Sequence, residues 1–367
     1  MATTAVVAPL AAPAQAKTHR ARGDVRVFAH VASPGEPSFS LVANHRVYVG
    51  TFEDVEGNNT DPSKVFAYDF SGRLRRTYTV RGQTPGKPHG IQVAQRDGAG
   101  RLYLLDQAPA RVVVLNPRTG RQRTWARFPD VPVCTSATTT QCSNTASDNP
   151  PEPDYAAWLP GGAMLVSDYA QQLIWRIPAH AHGVRTARVW LNDKRLDGEE
   201  FGPAGLVLMP GHHSLLLTVA TGGITSTDPA NNSTQGRLYR IGLTARFHYK
   251  SLTRLWSSEP GEAPDGFAVS RRHEHVYMAM AGPTGNSVVE VVHKSGSWQR
   301  VWQVPSSPTH GGSSPRWDTA TSVSFLGTRL LVTNQAYFTD NAADWVLWDV
   351  ESGERGMPIY VPRRAGR

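Results

Sequence analysis

A pattern of alternating apolar and polar residues that recurs six times constrains this 367-residue chain more than any other feature. Each copy is a short run that alternates with a period of two and ends in a polar turn, which is typical of a half-buried β-strand entering a hairpin. Two short apolar runs precede each copy, and an aromatic or β-branched run follows it, the last at residues 357–362. Four strands in six copies, with almost no helical periodicity, predict an all-β fold, a six-bladed β-propeller with four antiparallel strands per blade. The six alternating runs begin at Lys64, Arg111, Gln172, Arg237, Ser287 and Trp345.

The spacing of the copies predicts a single domain. The residues that open the blades, at positions 36, 89, 154, 204, 265 and 321, lie 50 to 65 residues apart, and the variation falls in loops. We therefore expect one propeller over residues 34–362, with a basic segment before it at 17–33 and a basic tail after it at 363–367. Residues 25–31 alternate like a strand and could close the ring by pairing with the last blade.

The first residues of the chain predict export. Residues 1–16 are small and apolar and end in Ala14-Gln15-Ala16, a pattern that resembles the end of a secretory signal. We expect a secreted or extracytoplasmic protein; the alternative is a cytoplasmic protein with a disordered Ala-rich tail. In an exported protein Cys134 and Cys142 would form one disulfide, whereas in the cytosol they would be unpaired thiols.

Charge and hydropathy restrict the partners of the chain. The formal net charge is +8, but the Lys and Arg residues are scattered and no nucleic-acid-binding motif accompanies them. No apolar stretch reaches the ~20 residues that a membrane-spanning helix needs. We therefore expect a monomer that binds a small-molecule substrate, with no nucleic-acid partner and no membrane span.

The residues that open the first strand of each blade line the central channel of a propeller. Here they include three carboxylates and one imidazole. Carboxylates that converge on one axis raise one another's pKa unless a cation compensates them, so the pattern favours a divalent metal. Hard carboxylate oxygens favour Ca²⁺ over Zn²⁺. The predicted ring consists of Glu36, His89, Asp154, Ala204, Asp265 and Thr321.

The motifs around these positions resemble those of the gluconolactonase and regucalcin-like propellers, relatives of the paraoxonases and strictosidine synthase. The similar segments are Glu36-Pro37, Pro153-Asp154, residues 201–206 and residues 263–269. The resemblance implies a Ca²⁺-dependent hydrolase of lactones or related esters, with Glu36, Asp154 and Asp265 as metal ligands. Asp154 stands where the family commonly has Asn, and Ala204 stands where it has a metal-binding Asn, so one expected ligand is missing.

Two hypotheses about function follow. In the first, Ca²⁺ at the mouth of the channel polarises a lactone or ester carbonyl, while Asp265 or His89 takes a proton from the attacking water. In the second, which Ala204 favours, the chain is a non-hydrolytic small-molecule-binding or scaffold propeller, or a strictosidine-synthase-like enzyme that has lost the metal site. The residues expected to contact the substrate are Tyr155, Phe201, Ala204, Phe267 and Thr321.

Other polar motifs are expected to be structural. His273-Glu274-His275 and His212-His213 lack the spacing of a helical metal motif and should be solvated turn residues. Three polar residues that end second strands, Asp106, Asp168 and Asn334, should lie at the opposite rim of the channel. The recurring tryptophans should pack between blades. They are Trp158, Trp175, Trp190, Trp256, Trp302 and Trp348.

Overall fold

The computed structural model describes residues 20–52, 60–145, 148–198, 201–221, 235–272, 274–282, 284–306 and 313–363. Within these residues, twenty-four of the twenty-five strands form six four-stranded antiparallel sheets, one per blade, and the two-residue strand Arg185–Thr186 pairs parallel with the edge of the second blade. The predicted six-bladed β-propeller with four antiparallel strands per blade is therefore confirmed. The strands are β1 (Val25–His30), β2 (Pro37–Ala43), β3 (Arg46–Thr51), β4 (Lys64–Tyr68), β5 (Leu74–Thr79), β6 (Ile91–Arg96), β7 (Leu102–Gln107), β8 (Ala110–Leu115), β9 (Gln122–Arg127), β10 (Pro153–Trp158), β11 (Met164–Asp168), β12 (Leu173–Ile177), β13 (Arg185–Thr186), β14 (Arg188–Leu191), β15 (Pro203–Leu208), β16 (Ser214–Val219), β17 (Arg237–Leu243), β18 (Tyr249–Ser257), β19 (Pro264–Val269), β20 (His275–Met280), β21 (Ser287–Lys294), β22 (Ser297–Val304), β23 (Ala320–Leu326), β24 (Arg329–Asn334) and β25 (Val346–Glu351).

The helical content of the described part of the chain is three short 3₁₀ turns, at Lys194–Leu196, Pro210–His212 and Ala342–Asp344. None of them has the length and apolar character that crossing a bilayer requires.

The innermost strands β2, β6, β10, β15, β19 and β23 contact one another in that cyclic order and form the wall of the channel. Second strands such as β7 and β11 are buried along their whole length, whereas the outer strand β5 is mostly exposed. The apolar core therefore lies between blades. Between blades two and three, the rings of Trp125 and Trp158 pack edge to face at 5.6 Å between centroids. Three of the six tryptophans predicted to pack between blades are buried, namely Trp158, Trp175 and Trp348. The other three are partly buried and pack against the apolar clusters, namely Trp190, Trp256 and Trp302.

The last blade takes its outermost strand from the N-terminal part of the chain. β1 pairs antiparallel with β25, and Val27 lies opposite Trp348. The sequence pattern places the fourth strand of this blade at residues 357–362, and that prediction is wrong. Pro358 and Pro362 have no N–H to donate to a ladder, and β1 already pairs with the free edge of β25.

Residues 355–362 instead cross the end of the channel where the innermost strands finish. The amide of Met357 donates to the carbonyl of Val269 in blade five, and the amide of Gly98 in blade two donates to the carbonyl of Pro362, both at 2.8 Å. Above this segment the innermost strands enclose a cavity of about 400 Å³. We call the opposite end, where the innermost strands begin, the mouth of the channel.

Cys134 and Cys142 form a disulfide, as expected for an exported protein. The amide nitrogen of Asn192 lies 3.4 Å from each sulfur and fixes the loop against blade three. Residues 1–16, which carry the predicted export signal, and most of the C-terminal basic tail lie outside the described residues.

Candidate functional site

β-Bulges lie at the start of five innermost strands, and in four of them the displaced residue is one that was predicted to open a blade. At each bulge the ladder between the first and second strands shifts register, so the second residue of the strand leaves the regular pleat. Bulges re-aim side chains and are common beside functional sites. The four residues displaced in this way are Asp154, Ala204, Asp265 and Thr321.

Hydroxyl groups on the second strands hold the bulged segments in place. Ser167 Oγ donates to the carbonyl of Ala204 in the next blade at 2.6 Å. Thr218 Oγ1 donates to the carbonyl of Asp265 in the following blade, also at 2.6 Å. Thr333 occupies the same position in blade six, the last residue but one of its strand. Sequence reasoning missed these residues, although a hydroxyl residue near the end of an otherwise apolar second strand was a usable signal.

Asp154 and Asp265 come together at the mouth as a carboxyl pair. Burial and the neighbouring charge of Asp265 raise the pKa of Asp154 well above its ordinary value. Enclosure by the channel wall raises the pKa of Asp265 to about 8, although the amide of Gly266 and the hydroxyl of Tyr155 stabilise its charged form. Both shifts favour the protonated forms of the pair.

Further polar side chains surround the pair, and the sequence analysis did not single them out. Gln92 on β6 donates a side-chain hydrogen bond to Oδ1 of Asp154. Burial raises the pKa of Glu152, whose carboxyl group is hydrogen-bonded to the hydroxyl of Tyr169. The side chain of Gln107 donates to that same hydroxyl at 3.2 Å. Gln92 and Gln107 belong to blade two and contact side chains of blade three, so no local motif links these residues in the sequence.

Tyr155 forms part of the floor beneath the carboxyl pair. Its ring is buried and packs on Phe39 with 4.6 Å between centroids. Its hydroxyl donates to the carbonyl of Thr321 at 2.8 Å and lies against Asp265. A Cβ at position 266 would stand 1.8 Å from that hydroxyl oxygen, so Gly266 is required here. The glycine in the Pro-Asp-Gly motif thus has a packing explanation.

The remaining predicted site residues occupy different environments. Thr321 is buried, and its hydroxyl donates to the carbonyl of Ser38 in blade one at 2.9 Å. Ala204 and Phe267 are buried in the channel wall. Phe201 is 44% exposed and packs on Tyr169 at 5.6 Å between ring centroids, so it lies at the outer rim.

Glu36 and His89 are both buried at the openings of blades one and two. Glu36 has a φ of 42°, a conformation that non-glycine residues rarely adopt and that is frequent at functional sites. The two ring nitrogens of His89 lie 2.8 Å from the carbonyl oxygen of Lys87 and 3.1 Å from that of Asp61. These contacts place the ring of His89 between the two loops that carry Lys87 and Asp61.

The donor set at the mouth fits a divalent cation in charge and atom type. Asp154 and Asp265 offer hard oxygens, and a cation would offset the unfavourable burial of two carboxylates. Ala204 adds no side-chain ligand. Glu36, Asp154 and Asp265 are not a trio whose ligand atoms all lie within 4.8 Å of one another, so direct coordination by all three requires a side-chain movement.

Asp106, Asp168 and Asn334 lie at the mouth, and the expectation that they shape the opposite rim is wrong. Asp168 pairs with Pro153, and Asn334 with Ala320, at the starts of innermost strands. The reason is that antiparallel strands place the end of the second strand beside the start of the first. Oδ1 of Asp168 accepts from the amide of Glu152 at 3.0 Å, so this carboxylate fixes the loop that leads into blade three.

The fold has solved relatives of low sequence identity. No protein-family model matches the chain, and no curated protein sequence does. The luciferin-regenerating enzyme covers 93% of this chain and 100% of its own, with a TM-score of 0.59 at 12% identity. The periplasmic gluconolactonase of Pseudomonas aeruginosa covers 90% of each chain, with a TM-score of 0.52 at 16% identity. A gluconolactonase from Xanthomonas campestris covers 90% of this chain and 89% of its own, with a TM-score of 0.53 at 13% identity. The resemblance to gluconolactonase propellers is thus confirmed at the level of the fold.

Proposed function

We propose that this chain is a hydrolase of lactones or related esters that acts at the mouth of the propeller channel. The observation that supports this proposal is the carboxyl pair of Asp154 and Asp265, with the pKa of Asp265 raised to about 8. A general base works best when its pKa lies near the working pH. The gluconolactonases among the solved relatives make a lactone the first substrate class to test.

Asp265 is the residue to which we assign proton transfer. As a carboxylate it accepts a proton from the attacking water while the water oxygen bonds to the acyl carbon. The bond from that carbon to the ring oxygen then breaks, and Asp265 returns the proton to the alkoxide that leaves. His89 is assigned a positioning role because both of its nitrogens face backbone carbonyls.

We propose Ca²⁺ as the metal of the site. Asp154 and Asp265 would hold it, with Glu36 close by and water in place of the missing Asn at position 204. Once bound, the ion would polarise the substrate carbonyl and stabilise the developing oxyanion. The channel wall would shape the lower side of the substrate pocket through Tyr155, Phe267 and Thr321. Phe201 would lie at the rim of that pocket.

The test measures turnover on a panel of lactones and esters with added Ca²⁺ and with EDTA. Asp265→Asn should lower turnover about 10²- to 10⁴-fold because the base is lost. Glu274→Gln, a carboxylate 60% exposed on the side of blade five, is the matched control and should be unchanged. Loss of turnover in EDTA supports the metal, whereas unchanged turnover removes Ca²⁺ from the proposal. Absence of turnover on every substrate under both conditions would favour a non-hydrolytic binding propeller.

A further inference from the structure

A second cluster of metal-ligating side chains lies on the flank of blade five, away from the channel mouth. In the described residues it is the one group of three His, Cys, Asp or Glu residues whose ligand atoms all lie within 4.8 Å of one another, and its members are His275, Glu290 and Glu354. His275 is the first residue of β20 and not a solvated turn residue, so that expectation is wrong. Nδ1 of its ring contacts the carboxylate of Glu290, whose side chain is only 2% exposed.

Three separate parts of the chain build this cluster. His275 and Tyr277 lie two residues apart on β20 and therefore on the same face. Glu290 on β21 is the cross-strand partner of Tyr277. Glu354 belongs to the segment that follows β25 and leads to the residues crossing the far end of the channel.

The separation of one pair of ligand atoms matches a small tetrahedral ion, and the second pair, which is hydrogen-bonded, would have to open by about 0.5 Å. Nδ1 of His275 lies 2.8 Å from Oε1 of Glu290 and 3.3 Å from Oε1 of Glu354. Ligands at Zn²⁺ bond lengths are separated by about 3.3 Å along the edge of a tetrahedron. One imidazole nitrogen with two carboxylate oxygens suits Zn²⁺ better than Ca²⁺, which prefers an all-oxygen shell.

Buried polar atoms beside the cluster give independent support. The hydroxyl of Tyr277 is fully buried beside its cross-strand partner Glu290, and Oε2 of Glu354 is buried without a hydrogen-bond donor. A buried acceptor without a donor is rare in native proteins and calls for an explanation such as an ion.

Two arginines beside the cluster, Arg22 and Arg272, would not prevent a cation from binding. Arg22 binds the second oxygen of Glu290 and would orient that carboxylate from outside the metal shell. The guanidinium of Arg272 is 3.4 Å from Oε1 of Glu354, but its side chain is 72% exposed and is free to move into solvent. His275 is 24% exposed, so water can reach the fourth position of a tetrahedral site.

We propose that His275, Glu290 and Glu354 bind one Zn²⁺ ion that fastens the C-terminal segment to blade five. The ion would link the strand pair β20–β21 to the residues that close the far end of the channel. It would be a structural site, independent of the chemistry proposed at the mouth.

The first experiment titrates metal-free, untagged protein with Zn²⁺ by calorimetry and follows the melting temperature. Wild type should bind one equivalent and melt at a higher temperature with Zn²⁺, and it should bind Zn²⁺ in the same way when Asp265→Asn has disabled the mouth. His275→Gln and Glu354→Gln should each weaken binding more than about tenfold, the scale of effects seen even for residues outside the metal shell. Glu274→Gln, one position from His275 but outside the cluster, is the matched control.

Two further measurements distinguish a zinc site from an ion-pair network and from a variant that fails to fold. Arg272→Gln removes a competing charge and should tighten Zn²⁺ binding, whereas a plain ion-pair network predicts only a loss of stability. X-ray absorption of the zinc-loaded wild type should show one nitrogen and two carboxylate ligands from the protein, so the answer does not depend on variants that fold. No uptake of Zn²⁺ by wild type, or equal uptake by Glu354→Gln, would overturn the proposal.

Discussion

The ionisation of Asp265 should set the pH dependence of the reaction. Its pKa is raised to about 8 by enclosure in the channel wall, so the base form accumulates as pH rises through that value. Because the proposed Ca²⁺ would stabilise the carboxylate and lower its pKa, we expect turnover with Ca²⁺ to climb over a range below pH 8 and then to level off. The pH–rate profile of the wild-type protein measures this directly.

Asp265→Asn separates this assignment from a general effect of pH on folding. The substitution removes the carboxyl group that titrates, so the rising limb should be absent from the residual turnover of this variant. A limb that persists unchanged in Asp265→Asn would show that another group controls the rate.

Single residues show how far the sequence could predict this site. Asp154 and Asp265 could be placed at the mouth because both open a repeat, and a repeat fixes equivalent positions in every blade. Gln92 and Glu152 could not, because their contribution depends on contacts between different blades. The wrong expectation for His275 has the same cause, since its partners Glu290 and Glu354 are distant in sequence.

The strand elements of the channel wall depend on hydroxyl groups that hold the bulges. Thr218→Val keeps the shape of the side chain but removes the donor to the carbonyl of Asp265. We expect the free energy of unfolding to fall by about 1–2 kcal/mol, the scale for losing a buried hydrogen bond, and turnover to fall with it. Urea unfolding followed by circular dichroism measures the first effect.

Thr253→Val provides the matched control on an exposed position of β18. This variant should change the free energy of unfolding by less than about 0.5 kcal/mol, as surface substitutions usually do. Equal losses in the two variants would mean that the hydroxyl of Thr218 has no special role in the wall.

At the level of elements, alternation and spacing predicted nearly all of the strands because both are local properties of the chain. Residues 357–362 and residues 25–31 carry similar patterns, and only one of them forms an outer strand of the last blade. The choice depends on which segment can reach and pair with β25, and on two prolines whose effect is visible only against a specific ladder. The local pattern alone therefore could not decide which of these two segments is the outer strand of the last blade.

The integrity of the whole ring depends on β1, which joins the start of the chain to its last blade. β1 covers an edge of β25 that would otherwise expose unpaired backbone groups. Phe28 on β1 and Val31 directly after it are buried against blade one, and Arg20 forms an ion pair with Asp349 at 2.7 Å. Removing residues 1–32 should therefore destabilise the entire propeller and not only its first blade.

Burial of the Phe28 and Val31 side chains alone accounts for about 3 kcal/mol or more of stability, since each large apolar side chain contributes roughly 1.5–3 kcal/mol. We expect the shortened chain to melt at a lower temperature and to associate through the free edge of β25, measured by thermal melting and light scattering. A chain that lacks only residues 1–16 is the control and should melt like the full chain. A synthetic peptide of residues 20–32 should restore part of the lost melting temperature, because it can pair with β25 again. If the chain without residues 1–32 melts with the full chain and stays monomeric, closure by β1 does not stabilise the ring.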